Sequence, residues 1–179
     1  MKKIMMTLVA MFATVSMSAQ NDMYIGGTAN FVGTGSDNTD LTISPEWGMK
    51  LDDKLGFGIK LDYTYNEPFG LADSRTRIAV NPYVRYDFLK CGKFKIFVDG
   101  GVYFGTSKVK DMDADNNFGI KVVPGISYRL TDQFTVAARA NNLFLWDVAA
   151  PAHSTCTNTV SLLERFNVNT YQFGFFYNF

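Results

Sequence analysis

The chain has 179 residues, 17 basic and 17 acidic side chains, a formal net charge of +0, 15% aromatic residues and a mean hydropathy of −0.03. The length suits one domain, and the balanced charge lacks the basic surface that nucleic-acid binding requires. Beyond the N-terminus no run of about 18 apolar residues occurs, which excludes helical membrane spans.

At the start of the chain, Met1-Lys2-Lys3, an apolar run over residues 4–15 and a small-residue patch over 16–19 make the three regions of a secretory signal peptide. The apolar run is shorter than the roughly 20 residues a membrane-crossing helix needs. Cleavage after Ala19 leaves Met17 three positions before the cut, whereas cleavage after Ser18 puts Ser16 there. The reading adopted is a signal peptide over 1–19 and one domain over 20–179. No Cys follows the cut, which argues against a lipoprotein.

The remainder alternates with period two, the mark of strands with unlike faces. Strand one spans 23–31, a polar Gly-rich stretch over 33–40 predicts a loop, and strand two spans 41–51 with Leu41, Ile43, Pro45, Trp47 and Met49 on one face. Asp52-Asp53-Lys54 predicts a tight turn into strand three, 55–65, where Phe57, Ile59, Leu61 and Tyr63 oppose Gly58, Lys60 and Asp62. A connection over 66–74 precedes strand four, 76–88, and a short turn over 89–93 leads to strand five, 94–104. A polar connection over 105–117, strand six over 118–130, a turn at 131–133 and strand seven over 134–141 follow. The longest connection, 142–165, precedes a closing strand over 171–179 in which Tyr171, Phe173, Phe175, Tyr177 and Phe179 share one face.

Long connections alternate with tight turns through these strands, and no apolar-face position carries a charge, although Lys, Arg, Asp and Glu crowd the other face. A Lys or Arg facing lipid at the midplane costs about 2–4 kcal/mol, which explains the exclusion. The pattern predicts an all-β fold, an eight-stranded antiparallel up-and-down transmembrane β-barrel, with long connections outside the cell and short turns and both termini in the periplasm. A soluble barrel with its apolar face inward is the rival. Strands of about 10–12 residues favour the membrane, since soluble strands average about 5–6, as does an aromatic final strand that would invite aggregation as a free edge.

Pro45, Pro82 and Pro124 each precede the last outward residue of a descending strand by the same offset, and that offset from Phe179 reaches Phe173. The strands thus read as copies of one hairpin unit, or as convergence on one lipid-facing pattern. Proline lacks the ladder donor, so bulges or open pairing are expected at these sites, with the rings outward. Tyr86, Phe88, Phe94, Tyr128, Phe134, Tyr177 and Phe179 are expected to form the periplasmic aromatic girdle. Tyr63, Tyr65, Phe104, Phe118 and Trp146 are expected near the outer interface. Cys91 falls in a short turn and Cys156 in the last long connection, so no disulfide is expected across a hydrocarbon layer about 25 Å tall.

On the inward faces, Glu46, Lys60, Tyr83, Asp99 and Arg139 count to a similar mid-barrel depth, with Asp62 and Lys121 one or two steps higher and Arg85 on the same side. These eight are the expected interior polar cluster, paired because an unpaired buried ion is expensive. Inward glycines leave room for them, and a barrel of eight strands is only wide enough for side chains to fill, which argues against a conducting pore. The lone His153 lies beside Ser154 and Thr155, with Asp147 and Glu164 as conceivable partners, but it does not reproduce a His-x-Ser pattern. No catalytic residue is assigned. Asp111, Asp113 and Asp115 alternate in a loop without the glycine and terminal acid of an EF-hand, so no metal or cofactor is expected.

The signal peptide, the alternating strands and the Phe173, Phe175, Tyr177, Phe179 terminus together resemble the small eight-stranded outer-membrane proteins of the OmpX and OmpA-barrel kind. The Ala19-Gln20 junction is similar to that of Bacteroidetes-type exported proteins. The resemblance implies that the C-terminal strand is read by the barrel-assembly machinery, and that the barrel contacts outer-membrane lipid and lipopolysaccharide. Unlike full-length OmpA, the chain is expected to lack a peptidoglycan-binding domain. It implies a non-enzymatic structural or surface role through extracellular loops that meet an unknown ligand. A narrow pore or an OmpW-like route for hydrophobic solutes is the alternative, and a lipid-modifying enzyme stands behind both.

Overall fold

The computed structural model describes residues 23–34, 38–68, 75–109, 114–140, 142–150, 157–162 and 171–179. Ten strand segments are seen: β1 (Met23–Thr34), β2 (Asn38–Lys50), β3 (Leu55–Pro68), β4 (Arg75–Cys91), β5 (Phe94–Val109), β6 (Asp115–Arg129), β7 (Phe134–Arg139), β8 (Phe144–Ala150), β9 (Thr157–Leu162) and β10 (Gln172–Asn178). Every pairing is antiparallel. β7 and β8 both pair with β6 and form one wall strand, as do β9 and β10 on the far side, so the ten segments make eight staves. β1 pairs with β10 and β5 with β6, which closes the ring.

Burial is inverted relative to a soluble protein. Outward Ile43, Val84, Phe104 and Phe173 are 50%, 47%, 59% and 67% exposed, while inward Ser44, Glu46, Asn81 and Phe97 are at most 2% exposed. A continuous apolar belt around a polar interior is stable only where lipid replaces water. This removes the soluble rival, whose apolar face would point inward.

The strands outrun their expected lengths. β4 has 17 residues and β5 has 16, whereas a tilted strand crosses the hydrocarbon with about 9–11. In β5 the surplus lies at the long-connection end, where Lys108 is exposed, whereas β4 gains Arg75 at that end and Leu89, Lys90 and Cys91 at the short-turn end. Most of the expected connection at 105–117 is therefore strand, and polarity there marks wall standing above the membrane. The expected connection over 142–165 likewise contains β8 and β9, which pair from Phe144 opposite Leu162 to Ala149 opposite Thr157. Its start, with Trp146 opposite Ile120, continues the seventh stave.

The prolines explain three of the irregularities; a further register shift in the β4–β5 ladder, between Asp87 and Leu89, lies away from any proline. Each keeps a ladder partner on one side, Pro45 with Gly27, Pro82 with Ile59 and Pro124 with Val98. On the other side pairing opens. The β2–β3 ladder skips from Ile43 to Glu46, and the β4–β5 ladder skips from Val80 to Tyr83. Opposite Pro124 the register shifts from Val122 with Phe144 to Gly125 with Arg139, dividing β7 from β8. The side that opens is each time the one facing the following strand, where the missing N–H would have donated. Arg139 and Phe144 are five positions apart (144 − 139), but their partners Gln172 and Leu162 are ten apart (172 − 162), with 163–170 outside the described residues.

Candidate functional site

Alternation aims the polar face of every stave at the lumen, and closure brings distant staves together there. Arg139 on β7 crosses to β2, where its Nη2 donates to Glu46 Oε1 at 2.7 Å, while its Nε donates to Asp99 Oδ2 on β5 at 2.9 Å. Arg85 Nε and Nη2 grip the two oxygens of Asp99 at 2.7 and 2.9 Å, a bidentate fork. Arg85 Nη2 also lies 3.5 Å from Glu46 Oε1. The Tyr83 hydroxyl donates to Glu46, and the Tyr24 hydroxyl joins it at 2.5 Å from the Tyr83 oxygen. The Arg85 guanidinium sits 4.0 Å from the Phe97 ring centre.

A second group lies toward the long-connection end. Asp62 is 3.4 Å from Lys60 Nζ and 3.6 Å from Lys121 Nζ, and accepts from Asn81 Nδ2 at 2.8 Å. Lys60 Nζ also donates to Gln172 Oε1 at 3.1 Å. The eight residues singled out from the sequence thus line the lumen as two groups: Glu46, Tyr83, Arg85, Asp99 and Arg139 below, and Lys60, Asp62 and Lys121 above. Tyr24, Asn81, Gln172 and Phe97 were missed as members. Their inward parity was legible in the alternation, but their meeting across the lumen depends on closure.

Aromatic rings complete the fill. A Cβ added at Gly48 would overlap the Tyr24 ring, one at Gly58 the Tyr83 ring, one at Gly119 the Tyr103 ring and one at Gly125 the Phe97 ring. The inward glycines therefore make room chiefly for rings lying across them from other staves, a pairing that also shields the bare backbone. Between the two polar groups a cavity of about 20 Å³ is left, on the order of one water. Below them a vestibule of about 550 Å³ opens at the short-turn end and stops at Tyr24, Arg85 and Phe176.

The closing strand places Phe173 and Phe175 on the lipid face at 67% and 52% exposure. Phe134 stacks on Phe175 at 5.2 Å between ring centres and meets Tyr177 at 5.3 Å, and Tyr177 meets Phe179 edge to face at 5.0 Å. The Phe179 N–H donates to the Met23 carbonyl at 2.9 Å, so the start of β1 and the end of the chain lie together beside the short turns. Cys91 is exposed and free, at the end of β4. His153, Ser154, Thr155, Cys156, Glu164, Asp111 and Asp113 lie outside the described residues, as does the expected signal peptide. Asp147 on β8 accepts from the Tyr103 hydroxyl. Among the described residues no group of three or more His, Cys, Asp or Glu side chains is arranged to hold a metal.

The family model for the outer membrane protein β-barrel domain matches residues 5–179. Among solved structures, Neisserial surface protein A superposes with a TM-score of 0.58 at 16% identity, over 88% of this chain and 97% of its own. OprG from Pseudomonas aeruginosa gives 0.52 at 14%, over 90% and 96%. The Yersinia pestis outer membrane protein Ail, in a phospholipid bilayer nanodisc, gives 0.51 at 10%, over 89% and 100%. Identities this low carry the shared fold alone. Comparison with curated protein sequences gave no match.

Proposed function

Because the chain belongs to the outer membrane protein β-barrel domain family, we propose that it is a sealed surface barrel, without enzymatic activity, that presents its long connections and projecting strand ends outside the cell. The observation that carries this reading is the obstruction at mid-lumen. Glu46 and Arg139 are each 2% exposed and Phe97 is 0% exposed, so these side chains pack across the lumen with almost no water against them. What distinguishes one end of the molecule is wall: β3 runs on to Pro68 and β5 to Val109, lifting the long connections clear of the hydrocarbon. The extracellular ligand and lipopolysaccharide would be met there, while the short turns and both termini face the periplasm. The aromatic strand ending in Phe179 would serve as the assembly signal. Planar-bilayer recording of the purified barrel tests the sealed lumen: steady channel steps from the wild-type protein would overturn it.

A second reading, a sideways route for a small hydrophobic solute, is favoured by the mismatch of five positions (10 − 5) between the paired ends of the seventh and eighth staves. Its test is uptake of a hydrophobic probe into liposomes. A variant with five residues removed between positions 162 and 172 should lose uptake while remaining folded.

A further inference from the structure

The vestibule at the short-turn end has the volume of a ligand pocket, about 550 Å³, and the ion plug makes it a dead end. One wall carries two cations and two hydroxyls, one of which, Thr135 Oγ1, accepts from Asn178 Nδ2 at 3.0 Å and keeps its own O–H to donate. Lys95 on β5 is opposite Ser127 on β6, and Arg129, one inward step nearer the rim, is opposite Thr135 on β7. All four line the vestibule. Lys95 and Arg129 also line an adjoining cavity of about 320 Å³.

Asp52, Asp87 and Asp132 line the same vestibule, outnumbered by Lys50, Arg85, Lys93, Lys95 and Arg129, and the first two carboxylates are engaged or shared. Asp87 lies 3.3 Å from Lys95 and 3.6 Å from Lys90, so one carboxylate serves two ammonium groups. Asp52 Oδ1 accepts from the backbone N–H groups of Lys54 and Leu55 at 2.7 Å each. Arg129 is half-buried and makes no ion pair among the described residues. A guanidinium fork beside an ammonium and two hydroxyls suits a tetrahedral oxyanion, with the fork taking two oxygens and the ammonium acting as a point charge.

We propose that Lys95, Ser127, Arg129 and Thr135 form an oxyanion site that takes a phosphate group inside the vestibule. The rim lies at the level of the aromatic girdle, where lipid headgroups sit, so a headgroup phosphate and a free phosphate are the two sources. Binding itself does not depend on which side of the membrane the short turns face.

The test is a titration of isotope-labelled protein with inorganic phosphate in maltoside micelles, followed through its amide spectrum, with chloride at equal ionic strength as the control. Saturable shifts at Lys95, Ser127, Arg129 and Thr135 are expected, weakened about tenfold in Arg129→Gln, as for loss of one charge-assisted contact. Lys95→Gln serves as the second variant should the first not fold. The same protein in phosphatidylglycerol nanodiscs separates the sources: amides already at their phosphate-saturated positions assign a headgroup, and amides that still move with added phosphate assign the free ion. Shifts no larger in phosphate than in chloride, or folded variants titrating like the wild type, overturn the proposal. Micelles have no sides, so a failed titration leaves the surface-barrel reading to its own test.

Discussion

The lumen places opposite demands on single residues of the same type. Gly58 lies beneath the Tyr83 ring, whereas Gly100 faces outward with nothing near the position of a Cβ. Gly58→Ala should therefore force the ring to move and cost about 1–3 kcal/mol, while Gly100→Ala should be neutral or slightly stabilising; reversible urea unfolding in lipid vesicles compares the two. Both glycines lie on strands that the alternation identifies, and the inward parity of Gly58 is legible. The ring above it is not, because Tyr83 belongs to a different stave. Removing Arg139 would leave Glu46 and Asp99 to share Arg85 alone, and Arg139→Leu should cost about 3–5 kcal/mol. The double variant Glu46→Gln, Arg139→Leu should cost less than the sum of the singles, since both act on one ion pair. Additive losses in the same unfolding measurement would show that the pair is not coupled.

Elements obey rules that are mostly local, and most were readable along the chain. The turn between β2 and β3 is organised by Asp52, whose carboxylate accepts from the Lys54 and Leu55 N–H groups and is held by them below the usual aspartate range. Because its folded value is depressed, the stabilisation is present above the ordinary aspartate pKa of about 3.9 and is lost as pH falls through the depressed value. Protection of the Lys54 and Leu55 amides, taken relative to their intrinsic exchange rates, should be lost earlier in an acid series than at the β4–β5 turn. That second turn relies instead on Gly92 at φ +59°, and equal loss of protection at both turns would remove the role given to Asp52. The prolines belong to this scale too. That each would disturb pairing follows from its missing N–H; which neighbour would lose the bond follows only from strand order. Strand ends were the least legible feature. Residues 105–109 look like loop because polar side chains replace apolar ones where the wall leaves lipid, although the backbone ladder continues.

For the whole molecule, orientation and assembly are the properties that matter. Cys91 is exposed at the short-turn end, so with that end in the periplasm a membrane-impermeant maleimide should label it only after the outer membrane is made permeable. Labelling on intact cells of a Cys156→Ser variant would reverse the orientation. Phe179→Asp should reduce the amount of folded barrel in the outer membrane, measured by heat-modifiable mobility, if the aromatic end of β10 is read during assembly. Normal levels would confine Phe179 to its packing on Tyr177.

The sequence alone determined the two faces, the number of staves and the antiparallel order, because strand alternation and the exclusion of charge from lipid act residue by residue along the chain. It also marked Glu46, Lys60, Asp62, Tyr83, Arg85, Asp99, Lys121 and Arg139 as inward-facing. Only the tertiary structure decided that they gather as a lower plug and an upper group, that Tyr24 joins the plug, and that a dead-end vestibule remains beneath it. Those outcomes depend on the register and tilt with which eight staves close, and closure brings β2 to face β7 across a lumen that no local pattern describes.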